Sequence, residues 1–335
     1  MADSTPESRT VTSADVARLA GVSRATVSFV LNDTKGARVS AATRERVLDA
    51  ARRLGYVPHA AARSLRAGRS NLVLIPASVS AMGRLASEWI DDLHEALHRR
   101  GYVTVLHAGR FGDPAEAARA WAELRPVAVL ALDGDRYTAP TADVLARAGV
   151  RAQLAFAARP VPGTYTIAFD HRDLGAAAVE HLIASGRTRI GVIMPKERGL
   201  AAFAEPRLAG AGEVAARHMA TVVPVELAYA HEDAAALARR WAELGLDGVF
   251  AYNDEYAALL LHALRGQGIA VPGEVAVVGA DDLVLAGLQD PPLTTVRIDM
   301  PSAEDIAARL EELVESGSAE PAPRIEVRLV RRGSA

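Results

Sequence analysis

From residue 72 onward, short apolar runs alternate with stretches whose apolar positions recur at helical spacing. The first series reads LVLIPAS, then 84–100, YVTVLHA, 114–124, VAVLALD, 141–149 and VRAQLAF. It resumes with TYTIAFD, 171–186, RIGVIMP, 206–219, VVPVELAY, 233–245, GVFAYN, 254–267 and EVAVVGAD. Such alternation predicts parallel sheets joined by right-handed crossovers, an α/β fold. About ten strands exceed one comfortable sheet, and RPVPGTY at 159–165 offers a break. Two doubly wound lobes are expected, with a ligand cleft between them at the C-terminal ends of the strands.

The first 58 residues follow a different pattern. Thr12 precedes SADVARLAG, with Asp15 three residues on, a capping-box start that Gly21 stops. Ser23 is a good N-cap for VSRATVSFVLN, which carries Val27, Val30 and Leu31 inward. A third helix runs from Ser40 through AATRERVLDAARRLG, with Val47, Leu48, Ala51 and Leu54 as its stripe, and Gly55 and Pro58 stop it. Two short helices around a glycine turn, with a third behind them, predict a small all-α helix-turn-helix headpiece. The segment HAAARSLRAGRS then has Leu65 as its only large apolar side chain.

Charge supports this division. Residues 1–70 hold 12 Lys/Arg against 6 Asp/Glu, about +6, which leaves about −9 for the rest of a chain of net −3. A basic arm on an acidic body is the footprint of a nucleic-acid-binding segment. The absence of cysteine excludes disulfides and thiolate chemistry. No apolar run approaches a membrane span, and the N-terminus lacks the apolar core of a signal peptide, so no membrane partner and a cytoplasmic location are expected.

Two motifs could suggest an enzyme. HEALHRRG at 94–101 places His94 and His98 one helical turn apart beside a glutamate, as zinc proteases do. Yet the stripe of that helix is Ala86, Trp89, Ile90, Leu93 and Leu97, and the position of a third ligand is Thr104. GAGEVA at 210–215 imitates a dinucleotide fingerprint but lies inside a helical stretch, not in a strand-to-helix turn. Neither a metal nor a cofactor is expected, and the chain is not expected to be an enzyme.

The run from Val11 to Ser70, with DVARLAGVS, ATVSFVLN, TRERVLDAARRLGY and ARSLRAGR in order, resembles the headpiece of the LacI family of bacterial transcriptional regulators. FAYNDEYAALLLHALRGQGIAVPGEVAVVGADD and DPPLTTVRID resemble the C-terminal core of the same family. The resemblance implies a two-lobed, periplasmic-binding-protein-like core. The implied organisation is a tail at 1–9, the headpiece at 10–58, a hinge helix and linker at 59–71 and the core at 72–335. In that core the first lobe takes 72–160 plus 292–318, and the second takes 161–291 plus 322–332.

The resemblance also implies site residues. Arg24, Ala25 and Phe29 should face bases, an arginine suiting guanine and a phenylalanine only a thymine methyl. Thr12, Ser23, Thr26, Asn32 and Arg38 should approach phosphates or the groove edge. Leu65, with Ala62 one turn before it, should wedge into the minor groove from a hinge helix. Phe29 as a packing partner of the third helix is the competing reading. For the effector, Arg207, Asn253 and Asp281 are implied, with Asn253 and Asp281 also suited to capping roles. An aspartate common at the end of the fourth strand is replaced here by Phe156 or Ala157.

These readings converge on a regulator, most simply a repressor. It would bind a palindromic double-stranded operator as a homodimer, under control of a small-molecule effector such as a sugar or derivative. The alternative is an extracytoplasmic solute-binding protein without a role in transcription.

Overall fold

Ala128–Ala131 and Ala152–Ala157 are buried at every position, as strands covered by helices on both faces must be. The structure is a computed structural model describing residues 11–31, 39–57, 70–77, 83–109, 113–133, 137–197 and 199–335. It divides into two compact units, residues 1–70 and 71–335.

The first unit contains three described helices: α1 (Ser13–Ala20), α2 (Arg24–Leu31) and α3 (Ala41–Leu54). Gly21 ends α1 at φ +68° and Gly55 ends α3 at φ +61°, where a side chain would be strained. Val16, Ala17, Ala20, Val27, Val30, Val47, Ala50 and Ala51 form the core, with Leu31 and Leu54 packed against it. Leu48, expected inside, is 41% exposed, and Ala50 takes its place. The set 47, 50, 51, 54 is the i, i+3, i+4, i+7 face of a helix.

The second unit contains two sheets. The first has strand order β2-β1-β3-β4-β5, built from Leu72–Pro76 (β1), Val103–His107 (β2), Ala128–Ala131 (β3), Ala152–Ala157 (β4) and Tyr165–Ala168 (β5). The second has order β11-β10-β9-β8-β6-β7. Its strands are Arg189–Pro195 (β6), Thr221–Leu227 (β7), Gly248–Phe250 (β8), Ala276–Ala280 (β9), Thr294–Ile298 (β10) and Val327–Val330 (β11). All described pairings are parallel except β10 with β11.

Sheet membership departs from expectation at two strands. β5 extends the first sheet beside β4, so the break falls after it, at 169–171, and not within 159–165. β10 lies in the second sheet beside β9, although 292–318 was expected in the first lobe. Only the helix Ala303–Ser316 returns there, joined to the end of helix Arg84–Arg99 by Arg99 and Arg100 on Glu304 at 2.8 and 2.7 Å. The crossings lie together: Ile325 N–H donates to Ala168 O at 2.8 Å and Asp299 N–H to Glu326 O at 3.0 Å.

In the second lobe, helices Arg172–Ala184 and Ala201–Arg217 cross backbone to backbone. A Cβ on Gly175 would lie 1.8 Å from the Arg207 carbonyl oxygen, and one on Gly210 would lie 2.1 Å from the Arg172 carbonyl oxygen. The second helix begins at Ala201, five residues before the expected start at Pro206. Pro206 lacks the N–H that would bond the Ala202 carbonyl and sets its ring against that carbonyl, yet the helix runs through it to Arg217.

Gly175→Ala and Gly210→Ala should therefore destabilise the fold. Helix propensity would favour alanine by about 1 kcal/mol, but the neighbour is backbone and cannot rotate away. Overpacking of this kind costs about 1–3 kcal/mol or more. A Cβ on Gly212, two residues along, meets nothing within 4 Å. Thermal melts should thus show Gly175→Ala and Gly210→Ala several degrees below wild type, and Gly212→Ala equal or above. A drop in Gly212→Ala matching the other two would refute the close-approach argument.

Candidate functional site

The headpiece exposes one edge of α2. Ser23, Arg24, Ala25 and Phe29 are exposed and Thr26 is partly so, while Val27 and Val30 on the opposite face are buried. Phe29 is 42% exposed and is not part of the buried core that α3 completes. Ser23 Oγ accepts the Thr26 N–H at 3.1 Å and lies 2.9 Å from the Thr26 hydroxyl, starting the helix with its first turn toward solvent. At α1, Thr12 donates both its amide (3.0 Å) and its hydroxyl (2.7 Å) to Asp15, which also pairs with Arg18 at 2.7 Å. Asn32, Arg38, Ala62 and Leu65 lie outside the described residues.

In the second unit a cleft of about 900 Å³ lies between the two sheets. Pro76 (end of β1), Phe156 (β4), Tyr252 and Asn253 (after β8) and Asp281 (after β9) line it, all at C-terminal strand ends. Arg207, Asn253 and Asp281 therefore share one cavity. Arg207 is 5% exposed. Its Nη1 donates to the Tyr252 carbonyl, and its guanidinium carbon sits 4.4 Å from the centre of the Tyr252 ring. It makes no described ion pair with Glu205 or Asp170. With Nη1 engaged by the carbonyl, Nε has no partner among the described residues, so the donor fork that suits a carboxylate or vicinal hydroxyls is not used up.

Asn253 has a capping role as well as a cleft position. Its Oδ1 accepts the Tyr256 N–H at 3.0 Å, starting helix Asp254–Gly266, while Nδ2 lies 3.3 Å from Glu255. A Cβ on Gly83 of the first lobe would lie 3.6 Å from that Nδ2, so the lobes approach closely here. Asp281 has φ +98° and Asp282 φ +53°, two consecutive left-handed residues that cost about 1–3 kcal/mol each. Burial pushes the Asp281 carboxyl up, against the Arg207 charge and an Asn253 hydrogen bond that lower it.

The strained turn is tied down from below. Fully buried Asp254 accepts the Leu283 N–H at 2.7 Å and the Thr295 hydroxyl at 2.5 Å. Gly279 makes room for it: a Cβ there would lie 2.2 Å from Asp254 Oδ1. Burial pushes the Asp254 carboxyl up to about 7 despite those two donors.

The sequence reading missed most of the cleft wall. Trp89, placed in a helical stripe, packs edge-on against Phe156 at 5.6 Å and donates from Nε1 to the Pro301 carbonyl at 2.8 Å. Phe169, His171, Phe203, Tyr229 and Tyr256 also line the cleft. In a chain only 5% aromatic, Phe169 and Tyr229 just after strand ends were the available signal, whereas Phe203 and Tyr256 lie inside helices. Glu197 was missed as well. Burial pushes its carboxyl up, but the Tyr256 hydroxyl and the Tyr229 amide at 2.7 Å prevail and hold it below the usual range.

His94 and His98 are both exposed, their rings stacked at 6.2 Å. Among the described residues no group of three His, Cys, Asp or Glu could hold a metal. No described helix is long and apolar enough to cross a membrane.

Residues 12–59 match the model of bacterial regulatory proteins, lacI family, and 179–335 that of the periplasmic binding protein-like domain. The chain is 31% identical over 290 residues to the transcriptional repressor PurR of Vibrio parahaemolyticus, covering 84% of this chain and 85% of that one. The chain belongs to the LacI family. It is a DNA-binding transcriptional regulator. The regulator reg1 of Streptomyces lividans is 32% identical over 344 residues, 96% of this chain and 95% of its own. Among solved structures, a CelR–cellobiose complex shares 28% identity with a TM-score of 0.61, covering 97% of this chain and all of that one. A LacI-family protein from Silicibacter pomeroyi shares the fold at a TM-score of 0.81 and 24% identity, over 97% and 99% of the two chains.

Asp254 generates a pH prediction. Its carboxyl titrates near 7 when folded and at its ordinary value, 3.8, when unfolded. The folded state thus holds the proton more tightly, and this group's contribution to stability falls as pH rises from about 4 to about 7. Asp254→Asn keeps an acceptor for Leu283 and removes the titration. Its melting temperature should gain on wild type steadily across that window; a difference that stays constant with pH would contradict the assignment.

Proposed function

We propose that the chain binds a two-fold symmetric operator as a homodimer in the cytoplasm, and that a small molecule in the inter-lobe cleft controls the binding. The observation that carries the DNA half is the exposed edge of α2. Arg24 and Phe29 stay in solvent while Val27 and Val30 close the core behind them. A helix presented this way fits the major groove, with Arg24, Ala25 and Phe29 toward base edges. Thr12, Ser23 and Thr26 are then placed for the backbone, and Asn32, Arg38, Ala62 and Leu65 are carried as contacts by the family motif. A symmetric dimer follows from reading two half-sites. Repression is the sense supported by PurR of Vibrio parahaemolyticus.

The effector half rests on Arg207, Asn253 and Asp281 meeting in one cleft. The cellobiose complex of CelR supports a sugar or sugar derivative as ligand. Arg207 is buried in the second lobe where the two lobes face one another, so its bond to a ligand helps hold them together.

Sequencing the DNA retained by the purified protein should return a palindrome. Affinity for it should fall by about 10³-fold between 50 and 200 mM salt if some six phosphates are neutralised. A binding curve flat over that range would remove the headpiece from the account.

Arg207→Ala should leave operator affinity without effector within about twofold, and abolish the response to effector, since coupling requires differential affinity for two states. Operator titrations with and without effector, beside a thermal melt, decide the matter. A variant that melts several degrees lower yet still responds would reduce Arg207 to a structural residue.

A further inference from the structure

Asp281 and Asp282 stand in the left-handed region at φ +98° and +53°, with no glycine to relax either. Such a turn persists only where its surroundings hold it. On one side Asp254 accepts the Leu283 N–H at 2.7 Å, and the Asp281 N–H donates to the Val296 carbonyl at 2.9 Å. On the other side stands Arg332. Its Nη2 donates to Asp282 Oδ1 at 2.6 Å, and its Nη1 donates to the Leu293 carbonyl at 2.9 Å. The two charged side chains are only 25% and 16% exposed. Arg332 is itself firmly placed, its amide donating to Thr294 Oγ1 at 2.9 Å and that of Gly333 to the Pro292 carbonyl at 2.8 Å. Fully buried Ser334 accepts the Thr294 N–H at 2.8 Å and donates to the Val277 carbonyl at 2.6 Å. Residues 332–334 are thereby fastened to β9 and to the chain entering β10.

We propose that Arg332 is a positioning residue of the cleft: acting through Asp282, it fixes the turn that presents Asp281 to the cavity. The proposal rests on the reading of the cleft as the effector site, whose wall includes Asp281 but neither Asp282 nor Arg332. A planar guanidinium can bridge a carbonyl and a carboxylate at once, which an ammonium does as a single point charge. Because the bridge takes hold of Asp282, the neighbouring Asp281 is left to Arg207 and Asn253 at the cleft. The charged groups around the turn are Arg207, Asp254, Glu255 and Arg332. Burial pushes the Asp281 carboxyl up, Arg207 lowers it and Glu255 raises it, while Arg332 is not among the charges acting on it. Loss of a nearby positive charge would raise that carboxyl further. Release of the turn into water would lower it. The direction of the change therefore separates a moved carboxyl from a lost charge.

The test uses the full chain without ligand, so its outcome is separate from whether the cleft binds an effector. Hydrogen exchange is followed at the Asp281 and Leu283 amides, and the Asp281 carboxyl is titrated by carbon NMR. Arg332→Ala should speed exchange at both amides about tenfold or more, the scale of one lost charge-assisted hydrogen bond. It should also bring the Asp281 titration down toward its ordinary value. Arg332→Lys keeps a charge for Asp282 and should recover exchange to within about threefold of wild type. In an Asp282→Ala background, Arg332→Ala should add less than about twofold, since residues acting as one unit are not additive. Ser334→Ala removes two buried hydrogen bonds from the same segment. It should lower the melting temperature yet leave exchange and titration at the turn near wild type. A Ser334→Ala variant that loosens the turn as far as Arg332→Ala overturns the proposal, because the segment then acts through stability alone. So does an Asp281 carboxyl that titrates higher in Arg332→Ala, or an effect of that substitution undiminished by Asp282→Ala. The effector reading fails separately, through the operator titrations of Arg207→Ala.

Discussion

The second lobe depends on two helices touching through bare backbone. Gly175 and Gly210 each lie against the carbonyl of the residue that begins or faces the other helix, at distances no side chain would survive. Each glycine in a helix costs about 1 kcal/mol of propensity, and the close crossing offsets that with contacts along both helices. One consequence is positional. The contact fixes Arg207, whose carbonyl faces Gly175, beside the first turn of Arg172–Ala184, and so beside His171. Arg172 on Glu213 and Arg324 on Asp173, both at 2.5 Å, pin the same turn from the surface. A polar edge built from two separate stretches of chain thus rests on two missing methyl groups.

A buried guanidinium costs several kcal/mol unless it is well satisfied. Arg207 has the Tyr252 carbonyl and ring face, and the charge of Asp281 acts on it within the same wall of the cleft. Asp281 in turn occupies a left-handed turn that no glycine relaxes. What retains the turn is Asp254, buried beneath it, which accepts the Leu283 amide just past the two strained residues. A glycine enters again, because Gly279 leaves the space that the Asp254 carboxyl fills. Strain at the cleft surface is therefore balanced by hydrogen bonds in the layer below it.

Much of this fold was legible in the chain. Central strands covered on both faces read as continuous apolar runs, and the headpiece announces itself through Thr12 with Asp15, through Ser23, and through Gly21 and Gly55. Sheet membership was not legible. β5 and β10 look like any other apolar run, and only tertiary pairing decides which sheet each joins. Pro206 suggested a helix start because proline favours first turns, yet a packed helix tolerated it in the second. Leu48 was drawn inward by hydrophobicity where spacing favours Ala50. Arg207, Asn253 and Asp281, the residues proposed for the effector, came from a family pattern, and the structure brings them to one cavity. His171 carries no such signal, since its place in the cleft wall between the Phe169 and Phe203 rings is visible only once distant segments are assembled.

The two walls of the cleft differ in composition. The second lobe contributes Arg207, Asn253 and Asp281 together with Phe203, Tyr229, Tyr252 and Tyr256, while the first contributes Trp89, Tyr137 and Phe156 beside Asp133 and Thr141. Under the proposed function, a ligand in the cleft controls DNA binding only through differential affinity for two arrangements of the lobes, so the groups that matter are those it meets in one arrangement and not in the other. At about 25 cal/mol per Å² of apolar area, about 100 Å² covered by one wall supplies roughly 2.5 kcal/mol. That is the size of a typical coupling free energy between sites, about 1–3 kcal/mol.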